Sequence, residues 1–185
     1  PDISYSFYPV YSSFYDVAPE KVPLREGFTV DPDDYCGKEC AGIAIANPNA
    51  PTSKAITLDD IEKILKANPD VPVIIDEAYA AYAEGYESAA TLIGKYKNLV
   101  VVRTMSKSYG LAGIRLGYAI ADEEIITGLR KVRDSFNSYP VDRLTQRIGA
   151  AAMLDRENFE KNRLAVIKTR KFITEELRKV GFDIP

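Results

Sequence analysis

Short apolar runs recur through this chain with helix-patterned or turn-rich stretches between them, and this alternation narrows the available folds more than any other feature. Gly42–Ala46 runs into the turn Asn47-Pro48-Asn49-Ala50-Pro51-Thr52, and Val71–Asp76, Leu99–Arg103 and Leu116–Ala121 follow. Apolar runs bounded by turn signals read as buried strands. Strands spaced by helices argue for a three-layer α/β/α sandwich with a mixed, mainly parallel sheet. Ile3–Tyr8 and Lys21–Arg25 also read as strands.

Thr57 is the expected cap of the first long helix, with Asp60 three residues on in a capping-box relation. Leu58, Ile61, Ile64 and Leu65 form that helix's buried stripe. Three more helices are expected near 122–132, 141–154 and 157–180. The last carries Phe159, Val166, Ile173 and Val180 at heptad spacing, with Leu177 beside them and Gly181 as its stop. A helix that long suits a bridge between domains. The expected division is therefore 1–155 as a partial large domain and 156–185 as an interdomain helix entering a truncated small domain. The chain opens on Pro1 and stops at Phe182-Asp183-Ile184-Pro185, where another strand is expected, so it reads as an internal piece of a longer enzyme.

Composition excludes several functions. The 185 residues carry a net charge of −3, with no strongly basic stretch, so nucleic-acid binding has no electrostatic support. No apolar run reaches membrane-spanning length and no signal-peptide pattern is present, which points to a cytoplasmic chain without a membrane partner. Cys36 and Cys40 have no second cysteine pair and the chain has no histidine, so no metal site is expected. The same absence removes any histidine-based triad or general base from this chain, leaving lysine, tyrosine, carboxylate or a bound cofactor to move protons.

The run Arg103-Thr104-Met105-Ser106-Lys107-Ser108-Tyr109-Gly110-Leu111-Ala112-Gly113-Ile114-Arg115-Leu116-Gly117 follows the strand-like Leu99–Val102. It sets a lysine past a strand's carboxyl end, the rim where open α/β sheets bind ligands. Hydroxyls (Thr104, Ser106), glycines and guanidinium groups (Arg103, Arg115) suit a phosphate dianion. A lysine beside cations has its charged form disfavoured and its amine readied for Schiff-base chemistry. Together these suggest pyridoxal 5'-phosphate, against the plainer reading of a solvated loop lysine.

Val73-Ile74-Ile75-Asp76-Glu77-Ala78-Tyr79 is the second constellation. An acid at the end of a buried strand is costly unless a cation meets it, and a protonated pyridine nitrogen would be one. Tyr79, expected one helical turn on, could donate to the cofactor's ring oxygen. The alternative is an N-capping aspartate and a core tyrosine. Lys107 follows Asp76 by 31 residues, room for a helix and a strand, so both would emerge on one rim.

Taken together, Asp76-Glu77-Ala78-Tyr79 and Arg103-Thr104-Met105-Ser106-Lys107 with Ile114-Arg115-Leu116-Gly117-Tyr118 resemble the fold-type I, class II aminotransferases, and within them most the histidinol-phosphate aminotransferases. The resemblance covers nearly the whole chain and implies the central portion of a large domain that binds pyridoxal 5'-phosphate. It makes Lys107 the Schiff-base lysine and proton shuttle, Asp76 the partner of the pyridine nitrogen and Tyr79 the donor to the ring oxygen. Thr104, Ser106 and Arg115 would hold the phosphate, and Tyr5 would stack on the ring. Tyr5, Phe7, Tyr8, Tyr11, Phe14 and Tyr15 could instead be a packing or interface cluster.

The sequence departs from the family's Asn-Pro-Thr-Gly turn: Ala50 precedes Pro51-Thr52, and Ser53 stands in the glycine's place. Alanine cannot donate to the ring oxygen, which leaves Asn47 and Asn49 as candidate substitutes. The implied reaction is a transamination from L-histidinol phosphate to 2-oxoglutarate in two half-reactions, by a homodimer in the full-length enzyme. The substrate-carboxylate arginine is expected beyond Pro185, so these residues alone should bind the cofactor weakly and turn over poorly. The alternatives are an amino-acid phosphate decarboxylase, another class II aminotransferase, or an inert phosphate-ligand or dimerisation module. Residues 135–140 read as a loop near the site.

Overall fold

A computed structural model describes residues 1–137 and 139–185. Four strands form one sheet in the order β1 (Ile43–Ala46), β2 (Val73–Asp76), β3 (Leu99–Thr104), β4 (Gly117–Ala121). β1, β2 and β3 are parallel and β4 is antiparallel to β3, which gives the expected mixed, mainly parallel sheet. Ile43, Ile45, Val73, Ile75, Leu99 and Val101 alternate along the strands, come together on one face of the sheet and are buried there with Ile61, Ile64 and Leu65.

Helices flank the sheet: α1 (Tyr8–Phe14), α2 (Leu58–Ala67), α3 (Glu123–Phe136), α4 (Arg143–Leu154) and α5 (Arg156–Lys179). α2 starts as its sequence dictates. The Thr57 hydroxyl accepts from the Asp60 amide while the Asp60 carboxylate accepts from the Thr57 amide, and Ile61, Ile64 and Leu65 turn into the core. Gly181, at φ +94°, closes α5 with backbone bonds from Gly181 and Phe182 back to Arg178 and Leu177.

Several sequence expectations are corrected. Ile3–Tyr8 is not a strand. Its alternation of aromatic and serine residues imitates period two, but Pro9 lies in the first turn of α1 and presets helical φ. Among the described residues Lys21–Arg25 pairs with no strand and forms only an isolated Arg25–Thr29 bridge. A cavity of about 800 Å3 lies between this segment and β1, lined by Lys21 and Val22 on one side and Gly42, Ile43 and Ala44 on the other. The β2–β3 crossover contains short 3-10 turns (Ala80–Tyr82, Ala89–Leu92) where an α-helix was expected, so Tyr79 lies before a 3-10 turn and not one α-helical turn along.

The heptad stripe of α5 does not bury either: Val166, Ile173 and Val180 are exposed, and Ile167 is the residue that packs inward. The same face pins α5 to the crossover through polar groups. Arg163 donates to the Ala81 carbonyl, Arg170 to the Tyr82 carbonyl, and Lys171 pairs with Glu84.

Candidate functional site

Register brings the sequence-predicted residues to one end of the sheet. Ala46 pairs with Asp76, Asp76 with Val102, and Thr104 with Gly117. The turn after β1, the Asp76–Tyr79 segment, the Thr104–Lys107 segment and Arg115 therefore share one rim. The ladders continue past the strand ends: the Asn47 amide donates to the Asp76 carbonyl, Glu77 to Val102, and Met105 to Leu116. Gly117 is required here, since a Cβ would sit 2.9 Å from the Arg103 carbonyl oxygen.

Asp76 is half-buried. Its Oδ1 accepts from the Ala78 amide at 3.0 Å and its Oδ2 from the Tyr8 hydroxyl at 2.7 Å. Lys107 is exposed, with its ammonium 5.2 Å from the centre of the Tyr79 ring. Thr104 Oγ1 accepts from the Ser106 amide, tightening the turn that carries the lysine. Arg115 holds the left-handed conformation (φ 54°, ψ 43°), sparsely populated for a residue with a Cβ and costing about 1–2 kcal/mol, the kind of strain that clusters at functional sites. Among the described residues, the Tyr79 hydroxyl, the Ser106 hydroxyl and the Lys107 ammonium donate to no protein group.

Tyr5 joins this rim indirectly. It meets Tyr8 edge-on at 5.5 Å, and Tyr8 in turn reaches Asp76. Asn49 secures the same segment: its Nδ2 donates to the Ile3 carbonyl and to Thr52, and its Oδ1 accepts from Ser4. Tyr8 was legible only as a member of an aromatic cluster, and nothing local to it announced an acid 68 residues away.

Two expectations about donors are overturned. Arg103 is not a free phosphate ligand: its Nε and Nη2 donate to Glu77 at 2.9 and 2.6 Å, the fork-to-carboxylate arrangement that guanidinium favours. Burial disfavours the Arg103 charge, yet the Glu77 carboxylate outweighs it and the guanidinium's pKa ends above its ordinary value. The Glu77 side chain is 0% exposed and also accepts from Tyr86, Ser88 and the Ala89 amide. Asn47 and Asn49 are not spare donors to a ring oxygen, for both amide groups already build the turn. Asn47 Nδ2 is spent on the Ile56 carbonyl and Tyr86.

Two half-buried phenols bond this rim's carboxylates. Burial first, and then the nearby charge, pushes Tyr8 upward beside Asp76 and Tyr86 upward beside Glu77. Both therefore remain hydrogen-bond donors. Of the 135–140 loop expected near the site, Ser138 lies outside the described residues.

The whole chain, residues 1–185, matches the family model for aminotransferase class I and II. It is 48% identical over 186 residues to histidinol-phosphate aminotransferase 1 of Bordetella parapertussis, covering 100% of this chain and 52% of that protein. The crystal structure of the histidinol-phosphate aminotransferase from Clostridium acetobutylicum superposes with a TM-score of 0.87 at 27% identity, covering 97% of this chain and 55% of that one. The Sinorhizobium meliloti histidinol-phosphate aminotransferase, solved in complex with pyridoxal-5'-phosphate, shares the fold with a TM-score of 0.83 at 22% identity, over 92% and 47% of the two chains. The chain spans about half the length of the curated relatives it matches.

Proposed function

The chain belongs to the class I and II aminotransferase family, and from that premise we propose that it forms the cofactor-binding core of a histidinol-phosphate transaminase. The reaction would exchange an amino group between L-histidinol phosphate and 2-oxoglutarate, with pyridoxal 5'-phosphate as cofactor. The relatives' names support the substrate, and the donor set at the rim supports the cofactor.

One arrangement carries the reading: an acid, an exposed lysine and a strained arginine emerge on one rim from three different strand ends. The groups present fit the cofactor. Asp76 retains lone pairs beyond its two hydrogen bonds, the Ser106 hydroxyl and the Lys107 ammonium donate to no protein group among the described residues, and Arg115 is exposed, with one guanidinium nitrogen on the Ala112 carbonyl. The fit lacks one donor of the family pattern, since Ala50 offers none and both asparagines are committed, so Tyr79 is left to meet the ring oxygen.

When bound, pyridoxal 5'-phosphate supplies a carbonyl for the substrate nitrogen and a ring that takes up the electron pair released at the substrate's α-carbon. The protein does the rest. Lys107 Nζ removes the α-proton and returns it, the role a general base needs in a chain without histidine. The Asp76 carboxylate would hold the ring N–H and keep it protonated. Thr104, Ser106 and Arg115 would hold the phosphate, and Tyr5 would stack on the ring.

We further assign residues 1–155 to the large domain and α5 to the helix that leads out of it, supported by its single buried residue and its exposed Val166, Ile173 and Val180. The enzyme would be a cytoplasmic homodimer. Exposed Val10, Tyr11 and Phe14 on α1 form the kind of apolar patch that partners cover.

Titrating the protein with pyridoxal 5'-phosphate, then reducing with borohydride and mapping peptides, tests the reading. A visible band and a label confined to Lys107 are expected. Lys107→Ala should abolish both and lower transamination about 10²–10⁴-fold, while shifting stability by less than about 0.5 kcal/mol. Label spread over surface lysines, or retained in Lys107→Ala, overturns it.

A further inference from the structure

We propose that Tyr8 is a positioning residue that sets the orientation of the Asp76 carboxylate toward the cofactor's ring nitrogen, an inference that rests on the reading above. Tyr8 opens α1, and its hydroxyl donates to Asp76 Oδ2 at 2.7 Å, while the Ala78 amide donates to Oδ1 at 3.0 Å. One donor on each oxygen fixes the carboxylate plane and therefore the directions of the remaining lone pairs. Tyr8 also meets the Tyr5 ring edge-on, with an interplanar angle of 87°. One side chain thus couples the ring that would cover the cofactor to the acid that would hold its nitrogen. Burial, followed by the Asp76 charge, raises the phenol's pKa, so the hydroxyl stays a donor throughout the working range.

Tyr8→Phe keeps the ring and its edge contact with Tyr5 and removes only the hydroxyl. Its test compares two ligands, pyridoxal 5'-phosphate and the 1-deaza analogue, in which carbon replaces the ring nitrogen. Affinity is read by absorbance or fluorescence titration, with no turnover needed. If Tyr8 acts through Asp76 on the ring nitrogen, Tyr8→Phe weakens pyridoxal 5'-phosphate about three- to tenfold, as expected for one lost hydrogen bond, and leaves the analogue's affinity unchanged. In an Asp76→Asn background the Tyr8→Phe effect should vanish, since the group being oriented is altered.

Equal weakening of both ligands would show a merely structural role, and no weakening of either would show none; each overturns the proposal. Borohydride mapping of the wild-type protein separates the two levels. Label on Lys107 with an indifferent Tyr8→Phe defeats the positioning role alone, whereas failure to label Lys107 defeats the cofactor reading and the positioning role with it.

Discussion

The rim has a closed side and an open side, and the two are one residue apart in the chain. Glu77 is wholly buried and accepts from Arg103, Tyr86, Ser88 and the Ala89 amide, so its charge is consumed within the protein. Asp76, half-buried, accepts from two donors among the described residues and shares its rim with the exposed Lys107 and Arg115. Successive residues at a strand end point to opposite faces, so chemically similar neighbours meet unlike surroundings. A buried acid with all its lone pairs engaged organises loops, while an acid with lone pairs to spare can take a ligand.

Substitution of the two acids should separate the sides most sharply. Glu77→Gln leaves the partly exposed Arg103 guanidinium without its counter-charge and should cost about 3 kcal/mol in urea unfolding. Asp76→Asn should cost less than about 1 kcal/mol and show itself in weakened pyridoxal 5'-phosphate binding. Comparable losses of stability for both would break the distinction.

Alkaline pH should erase it. Tyr8 on the open side and Tyr86 on the closed side both have raised pKa values in the fold, from burial first and then from the adjacent carboxylate. The stability they contribute is fully present below the unfolded tyrosine value of about 10. It is lost as pH rises above that value, where the unfolded chain releases protons that the fold retains. Each should add up to about 1.4 kcal/mol per pH unit to the loss. Unfolding midpoints measured through that range should flatten by similar amounts in Tyr8→Phe and Tyr86→Phe.

The smallest effect belongs to the turn that serves both sides, with Asn47 bonded to Tyr86 and Asn49 to the Tyr5 segment. Ser53 sits there at φ +60°, in the left-handed region that glycine tolerates best. Ser53→Gly should stabilise by about 0.5–1 kcal/mol, read as a rise in thermal midpoint with cofactor affinity unchanged.

The open side was largely legible from sequence, because Asp76, Lys107 and Arg115 announce themselves by charge beside apolar strands, and parallel strands deliver their carboxyl ends to one rim. α2 was legible for a local reason, its capping box and stripe lying within a few residues of one another. The closed side was not. Arg103 sits 26 residues from Glu77, and seen alone it was one more cation beside the lysine. The single available signal was the paired acids Asp76-Glu77 at a strand end, which alternation sends to opposite faces.

By itself, then, the sequence determined the class of fold, the start of α2, the stop of α5 and the residues that gather on the open rim, all written in local periodicity, capping and residue type. Tertiary structure alone decided that Tyr5–Tyr8 leads into a helix with Tyr8 on Asp76, that Arg103 and both turn asparagines are spent on the fold, and that α5 packs through Ile167 and its arginines. Each of those outcomes turns on which distant group first satisfies a donor or covers a side chain, and that competition is settled only when the chain is packed.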